Sequence, residues 1–580
     1  MTDTFTVLGF SLPTFILLAI GLTVSSYLAY RKALPTPLPG IPYNKEATNS
    51  ILGDVVAMVK HVSATKEVMA WITSHNIKHQ SPIVQLFTRP FARPWVIVTD
   101  FREAQDVLLR RTKEFDRSDF FGNIFLGMLP KHHISMKTHD EEFKKHRRWL
   151  QDLMTPAFLH KIAAPQIHTA CLDMLDVWEQ KSRLAQGRPF EAPNDIFRST
   201  LDAVWSLVFN ADSSNSTTNA TLRKLSTIKS LELPISEDAE AVIPETPLPD
   251  SMAAVVYIVS TLELTVTSPI PVLLHWCIRK LPRWRKAFKT KEHFLRKEVE
   301  KTRIRFDGKN EKDMEVRCAM DEIMRRELST CEKEGREPMF HSRAMYDEIF
   351  GFVVAAHDTT STTLTWALKF LADNPDVQSK LRAEITAGHA SAISENRMPT
   401  AAEIAKTTIP YLDAAQEELI RCSITETAVV RTSTMDTEIL GKRIPKGTDV
   451  FFMANGPSIF SPAFQIDDSL RSQSCLTAKD RIGSWDPSDM AHFNPERWLV
   501  DTENGGKEFS ASAGPHLTFG MGPRGCYGRR LAYIEMKIFL TLIIWKFELE
   551  KCPISLSGYE SVDKLTHAPQ QCFVRLKKLA

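Results

Sequence analysis

At 580 residues the chain can hold two or three average domains or one large single-core enzyme. Its 72 Lys and Arg balance 70 Asp and Glu, so no global field recruits nucleic acid or an acidic substrate, and any binding must be local. The nine cysteines are odd in number, scattered and without a C-x-x-C pair, which argues against a disulfide framework or a zinc site and fits a reducing compartment.

The first predicted element is apolar. Residues 5–30 are 26 positions without a charge, rich in Leu, Ile, Val and Phe, enough to cross a hydrocarbon core of about 30 Å as a helix. Arg31 and Lys32 follow, and only Asp3 precedes, so the charge asymmetry predicts a single-pass signal anchor with the body in the cytosol. A cleaved signal peptide would need a basic start and small residues at a cleavage site, which this run lacks. Residues 35–45, rich in proline, read as a stiff connector. The expected division is an anchor at 1–34, the connector at 35–45 and a catalytic domain at 46–580. A second apolar stretch, residues 253–278, is interrupted by Glu263, Pro269 and Pro271 and reads as a membrane-facing pair of helices. Sequons at Asn215 and Asn219 would stay unmodified on a cytosolic face.

Short strands are predicted near residues 82–86 and 95–99. Thr138 and Glu141 have capping-box spacing and open a helix through Phe143, Arg147 and Arg148. Residues 346–373 form a long helical pattern stopped by Asn374-Pro375, with Phe352, Ala356, Thr359 and Thr363 on one face. Residues 411–421 read as a helix with Glu418 and Arg421 paired at i, i+3. Alternation at 429–432 and 448–452 predicts a small sheet, residues 461–480 a polar surface insertion, and 529–545 a helix.

Directly before that helix stands Phe519-Gly520-Met521-Gly522-Pro523-Arg524-Gly525-Cys526-Tyr527-Gly528, which sets five residues at fixed offsets, Phe-x-x-Gly-x-Arg-x-Cys-x-Gly. A helix N-terminus just past Cys526 favours a thiolate. Gly522, Gly525 and Gly528 permit tight turns and the close approach of a flat group. The overlapping G-x-G-x-x-G is formally a dinucleotide fingerprint. It is rejected, because only 55 residues follow Gly525 and Pro523 removes an N–H from the phosphate cradle. The decapeptide resembles the cysteine loop of the heme-thiolate monooxygenases, the cytochrome P-450 family.

That resemblance implies a mainly α fold with small β-sheets, a single heme-thiolate monooxygenase domain behind one N-terminal transmembrane helix. It implies heme b, with Cys526 as iron ligand, Phe519 shielding the sulfur, Gly528 closing the loop, and Arg524 and Arg147 on the propionates. Asp358 and Thr359 would deliver protons for O–O cleavage. Glu418, Arg421 and Arg497 would form a structural cluster. Phe143 stands where the family has tryptophan, Ala356 where it has glycine, and Cys422-Ser423-Ile424 where it commonly has prolines. With 54 residues after Cys526, no fused flavin domain is expected. Electrons would come from NADPH through a separate membrane-bound flavoprotein reductase, with cytochrome b5 as a second donor, docking on a basic face of Lys144, Lys145, Arg148, Arg529 and Arg530. The texture of the sequence resembles filamentous-fungal members that oxidise secondary metabolites. The expected activity is hydroxylation, epoxidation or a related oxidation of a hydrophobic small molecule at the endoplasmic reticulum membrane. Its pocket walls are expected at 120–129, 350–356, 424–430 and 564–569. Two other readings remain, a heme-dependent isomerisation or coupling without net oxygen insertion, and a non-enzymatic heme-binding scaffold.

Overall fold

The computed structural model describes residues 6–7, 10–212, 216–266, 268, 270–309, 313–478 and 482–579. The expectations placed on Asp3, Phe5, Asn215 and Pro269 lie outside these residues. Helix α1 (Leu12–Ala33) carries most of the uncharged run. Among the described residues no helix is long and apolar enough to cross a membrane, so the expected span is not supported. Two short strands, Thr6–Val7 and Phe10–Ser11, pair ahead of it. The helix therefore starts only at Leu12 and takes Arg31 and Lys32 into its last turn. After it the proline-rich stretch is pinned, since the Gln85 side chain accepts from Leu38 N and donates to the Leu38 and Ile41 carbonyls at 2.7–2.9 Å.

Strands β1 (Ile83–Leu86) and β2 (Trp95–Val98) appear near the predicted positions. Helix α2 (Phe101–Leu109) follows, then β3 (Phe115–Arg117). Helices α3 (Glu141–Leu150), α4 (Ala164–Ala185), α5 (Pro193–Phe209), α6 (Asp250–Val266) and α7 (Pro271–Ile278) lead to the long α8 (Arg343–Asp373). Then come α9 (Pro410–Ser423), β4 (Ala428–Ser433), β5 (Asp449–Met453) and α10 (Arg529–Lys546). The five strands form one sheet in the order β1-β2-β5-β4-β3, with β5 parallel to β2 and the other pairs antiparallel. Helix α8 packs against α5, α9 and α10 and shares with them a core that includes Ile349, Leu364, Leu419 and Phe539.

Three local readings change. The capping box is absent, because Asp140 occupies the N-cap of α3 while Thr138 donates from its backbone N–H and hydroxyl to Asp116 on β3. A buried carboxylate next door outcompetes the local cap. The stretch read as an insertion is docked, as far as it is described: Arg471 pairs with Asp100 at 2.8 Å, and the Ser472 and Ser474 hydroxyls bond Asp106 at 2.7 and 3.0 Å. Residues 479–480 lie outside the described set. Of the decapeptide glycines, Gly520 and Gly522 hold positive φ, whereas Gly525 and Gly528 do not. A Cβ at Gly522 would meet the Leu108 carbonyl of α2 at 2.1 Å, so this glycine lets the loop lie on that helix.

Candidate active site

Cys526 stands two residues ahead of the N-cap of α10, where its backbone N–H donates to Phe519 O at 2.7 Å. The loop is thereby closed on Phe519, whose ring stacks 5.5 Å from Tyr533. The side chain of Cys526 is exposed, but onto an interior hollow, since burial is the largest influence on its thiol and pushes its pKa up. The Gly528 N–H and the cations Arg529 and Arg147 pull the other way. The chain alone thus leaves the thiol neutral, and a bound metal cation is what would favour the thiolate. Gly528 has no atom within 4 Å of a Cβ position, so the space beside the loop is open.

Four arginines surround the same region without an ion pair among the described residues. Pairing of β3 with β4 sets Arg117 directly opposite Arg431. Burial lowers Arg117 to about 9, and Arg431 adds to the fall. Burial lowers Arg431 to about 10, with Arg524 contributing. Arg524 is lowered to about 9 by burial and then by Arg117. Like charges opposite one another on a sheet are destabilising, and buried guanidinium groups need acceptors. Yet Arg117 Nε and Arg524 Nη1 have none. Arg524 otherwise donates to the His133 and Ile134 carbonyls at 3.3 and 3.1 Å and lies 4.2 Å over the Phe143 ring, while Arg147 lies 4.0 Å over Tyr527. Phe143 therefore gives Arg524 a ring face in place of a tryptophan N–H. The orphaned donors, the open space at Gly528 and the thiol fit an anionic, flat, metal-bearing group: heme with its two propionates.

The carbonyls that hold Arg524 are themselves fixed from α8. Glu348 accepts from His133 N and bonds the His133 and His146 rings at 2.7 Å. Burial alone would raise Glu348, but His132 and His133 hold it well below the usual carboxylate range. His132, His133 and Glu348 bring one ligand atom each within 4.8 Å. Their bonds to one another account for the cluster as a structural network.

Farther along α8, Ala355 and Thr359 are exposed within a helix otherwise mostly buried, and Phe352 and Ala356 are half-buried beside them. An open face on a core helix requires a hollow. The Thr359 hydroxyl donates to Ala355 O at 2.8 Å. Asp358 accepts from Thr566 at 3.3 Å, and Thr363 turns aside to Thr425 at 2.7 Å.

On α9, Glu418 accepts a two-pronged bond from Arg421 at 2.7 and 2.8 Å, one from Arg497 at 3.1 Å and one from the Trp498 indole at 2.8 Å. Arg421 also donates to the Met490 and His492 carbonyls at 3.0 Å. The spacing predicted the Glu418–Arg421 pair, and the family resemblance added Arg497. Both missed Trp498, and both missed Arg117, Arg431 and Glu348. The sequence signal for Arg431 was a lone cation inside the apolar strand Ala428–Ser433.

A sequence model of cytochrome P-450 matches residues 56–457 and 488–558. The chain belongs to the cytochrome P-450 family. It is 38% identical over 580 residues to cytochrome P-450 monooxygenase TRI13 of Fusarium sporotrichioides, covering 96% of this chain and 98% of the relative. It is 36% identical over 558 residues to cytochrome P-450 monooxygenase xilC of Penicillium crustosum, covering 96% and 95%. Among solved structures, the cytochrome P-450DA heme domain superposes with a TM-score of 0.65 at 17% identity, over 94% of this chain and 99% of that one, a likeness of fold. The protein is a heme-thiolate monooxygenase, with relatives in fungal secondary metabolism.

Proposed function

We propose that Cys526 supplies the iron ligand, that Arg147 and Arg524, together with Arg117 and Arg431, receive the heme propionates, and that Phe519 and Gly528 shape the loop around the sulfur. The observation that carries this reading is the pair of buried guanidinium nitrogens, Arg117 Nε and Arg524 Nη1, left without acceptors in the region of an open thiol. The bound heme would supply dioxygen activation, which a thiolate ligand favours. Asp358 and Thr359 then act as the proton path into the hollow: the carboxylate, steadied by Thr566, exchanges protons, and the hydroxyl presents one at the open face of α8. Glu418, Arg421 and Arg497 hold the chain around α9 and take no part in chemistry.

The substrate is a hydrophobic small molecule. A cavity lined by Met58, Trp95, Phe120, Phe125 and Leu565 supports this. Electrons reach the heme from NADPH through a separate flavoprotein reductase, for which exposed Lys144, Arg148, Arg529 and Arg530 offer a basic dock. The protein attaches to the endoplasmic reticulum membrane. Leu17, Leu22 and Leu28 of α1 are 69%, 71% and 60% exposed, and Leu273 and Trp276 of α7 are 54% and 57% exposed. Apolar surface of this extent is covered by lipid. A glycosylation tag ahead of residue 5 distinguishes a crossing, which modifies it, from a helix lying on the cytosolic face.

The test of function begins with the compound that accumulates when the gene is disrupted. Supplied with NADPH, reductase and labelled dioxygen, the purified protein is expected to place one labelled oxygen in its product. Product without label would favour isomerisation or coupling instead.

A further inference from the structure

The apolar cavity contains one charge that the fold does not use. Of its charged lining groups, Arg89 pairs with Asp449 at 2.7 Å, Lys564 with Glu263 at 3.6 Å, and Asp563 accepts from the backbone of Val68 and Met69 and pairs with His567. Glu426 alone among these described lining residues has no hydrogen bond or ion pair. Its side chain is open to the hollow and otherwise enclosed by protein, and burial pushes its carboxyl up to about 7 against the pull of Arg117. Its charge is one of the influences that raise the Cys526 thiol.

The backbone places this group deliberately. Helix α9 ends on Ile424 with φ +46, a left-handed conformation that a β-branched residue adopts only under constraint. Thr425 is then tied to Thr363 of α8 at 2.7 Å and to Ser423 at 3.1 Å, which fixes the turn that carries Glu426 into the cavity. Phe121, Phe125 and Leu565 line the same cavity, and the cation that acts on the carboxyl, Arg117, makes no ion pair with it. A buried carboxyl without partners destabilises a fold, and such groups persist where function needs them. Most of its oxygen sites are acceptors, so the complementary ligand group is an O–H or N–H donor.

We propose that Glu426 is the specificity-determining residue of the cavity, and that it selects a hydrophobic substrate bearing a hydroxyl or amine donor while rejecting carboxylates and carbonyl-only analogues. This rests on the reading of the hollow beside Cys526 as the reaction site.

The test is calorimetric binding of 2-decanol, 2-decanone and decanoate to the purified full-length protein, in wild type, Glu426→Gln and Glu426→Leu. At about pH 9, where the carboxyl is ionised and only accepts, wild type is expected to bind 2-decanol at least about tenfold more tightly than 2-decanone, and to bind decanoate more weakly than either, because an unpaired buried acceptor discriminates strongly for a donor. In Glu426→Leu the alcohol-to-ketone ratio falls toward one. In Glu426→Gln, whose amide also donates, 2-decanone and decanoate gain affinity. Equal affinities in wild type, no binding of either ligand, or a ratio unchanged in Glu426→Leu would overturn the proposal. Failure of the heme reading shows separately, in the ferrous carbon-monoxide spectrum of the same preparation.

Discussion

Two groups of arginines, one around Glu418 and one around Cys526, meet their charge in different ways. Around Glu418 every guanidinium finds acceptors within the chain: a carboxylate held at 2.7–3.1 Å and a ring of carbonyls at 3.0 Å. Around Cys526 the guanidinium groups of Arg117, Arg431 and Arg524 face one another, lower one another's pKa and leave donors unmet. The same side chain is structural in the first setting and receptive in the second. What separates them is whether the counter-charge is encoded in the sequence or arrives with a ligand. Folding alone satisfies the first group, and the second is complete only when an anion is bound.

Breaking the self-sufficient side should have the largest effect. Glu418→Ala strands Arg421 and Arg497 in the core, and removal of one partner from a buried pair costs about 3–5 kcal/mol. Denaturant unfolding should show that loss, with or without heme. Next comes the proton path. Thr359→Val is expected to reduce product formed per NADPH by roughly 100-fold, the lower range for a positioned proton donor, with peroxide release rising and heme content unchanged. Coupling equal to wild type would remove Thr359 from the path.

Arg524→Met sharpens the comparison because its two effects have opposite signs. Loss of a charge-assisted bond to a propionate is worth about 1.5–3 kcal/mol, which lowers heme affinity roughly 10–100-fold. The heme-free protein should become more stable, since an unmet buried charge is gone. Arg421→Met, by contrast, should destabilise both forms. Heme titration and melting of the heme-free protein read these two signs.

The smallest effect is a pH slope. Glu535 of α10 accepts from Thr360 at 3.0 Å, and burial pushes its carboxyl up to about 8. The folded state keeps this proton while the unfolded chain releases it near 4.5. Its contribution therefore favours folding below about 4.5 and is lost progressively as pH rises to about 8. Glu535→Gln should flatten that decline, and an unchanged slope would show that Glu535 ionises normally.

The sequence made the decapeptide, the helix after it and the Glu418–Arg421 pair legible because each lies within a few turns of chain and has a fixed spacing. Arg117 and Arg431 were hidden because strand pairing, not spacing, brings them together across most of the chain. Glu426 falls within the pocket wall expected at 424–430, but the left-handed turn at Ile424 that presents it there is announced by no local pattern. The capping box failed for the same kind of reason, since Asp116 reaches Thr138 from a strand 22 residues earlier in the chain. The N-terminal run shows the converse. Its composition was read correctly, but the helix begins late and ends on two cations.

The central claim is that Cys526 and the unmet arginines together await a heme held through sulfur. The ferrous carbon-monoxide spectrum of the purified full-length protein tests it most directly, with Cys526→Ala beside it. The account predicts a Soret band carrying the thiolate red shift in wild type and its complete loss in the variant. A folded wild-type protein without that shift, or a variant that keeps it, would contradict the account.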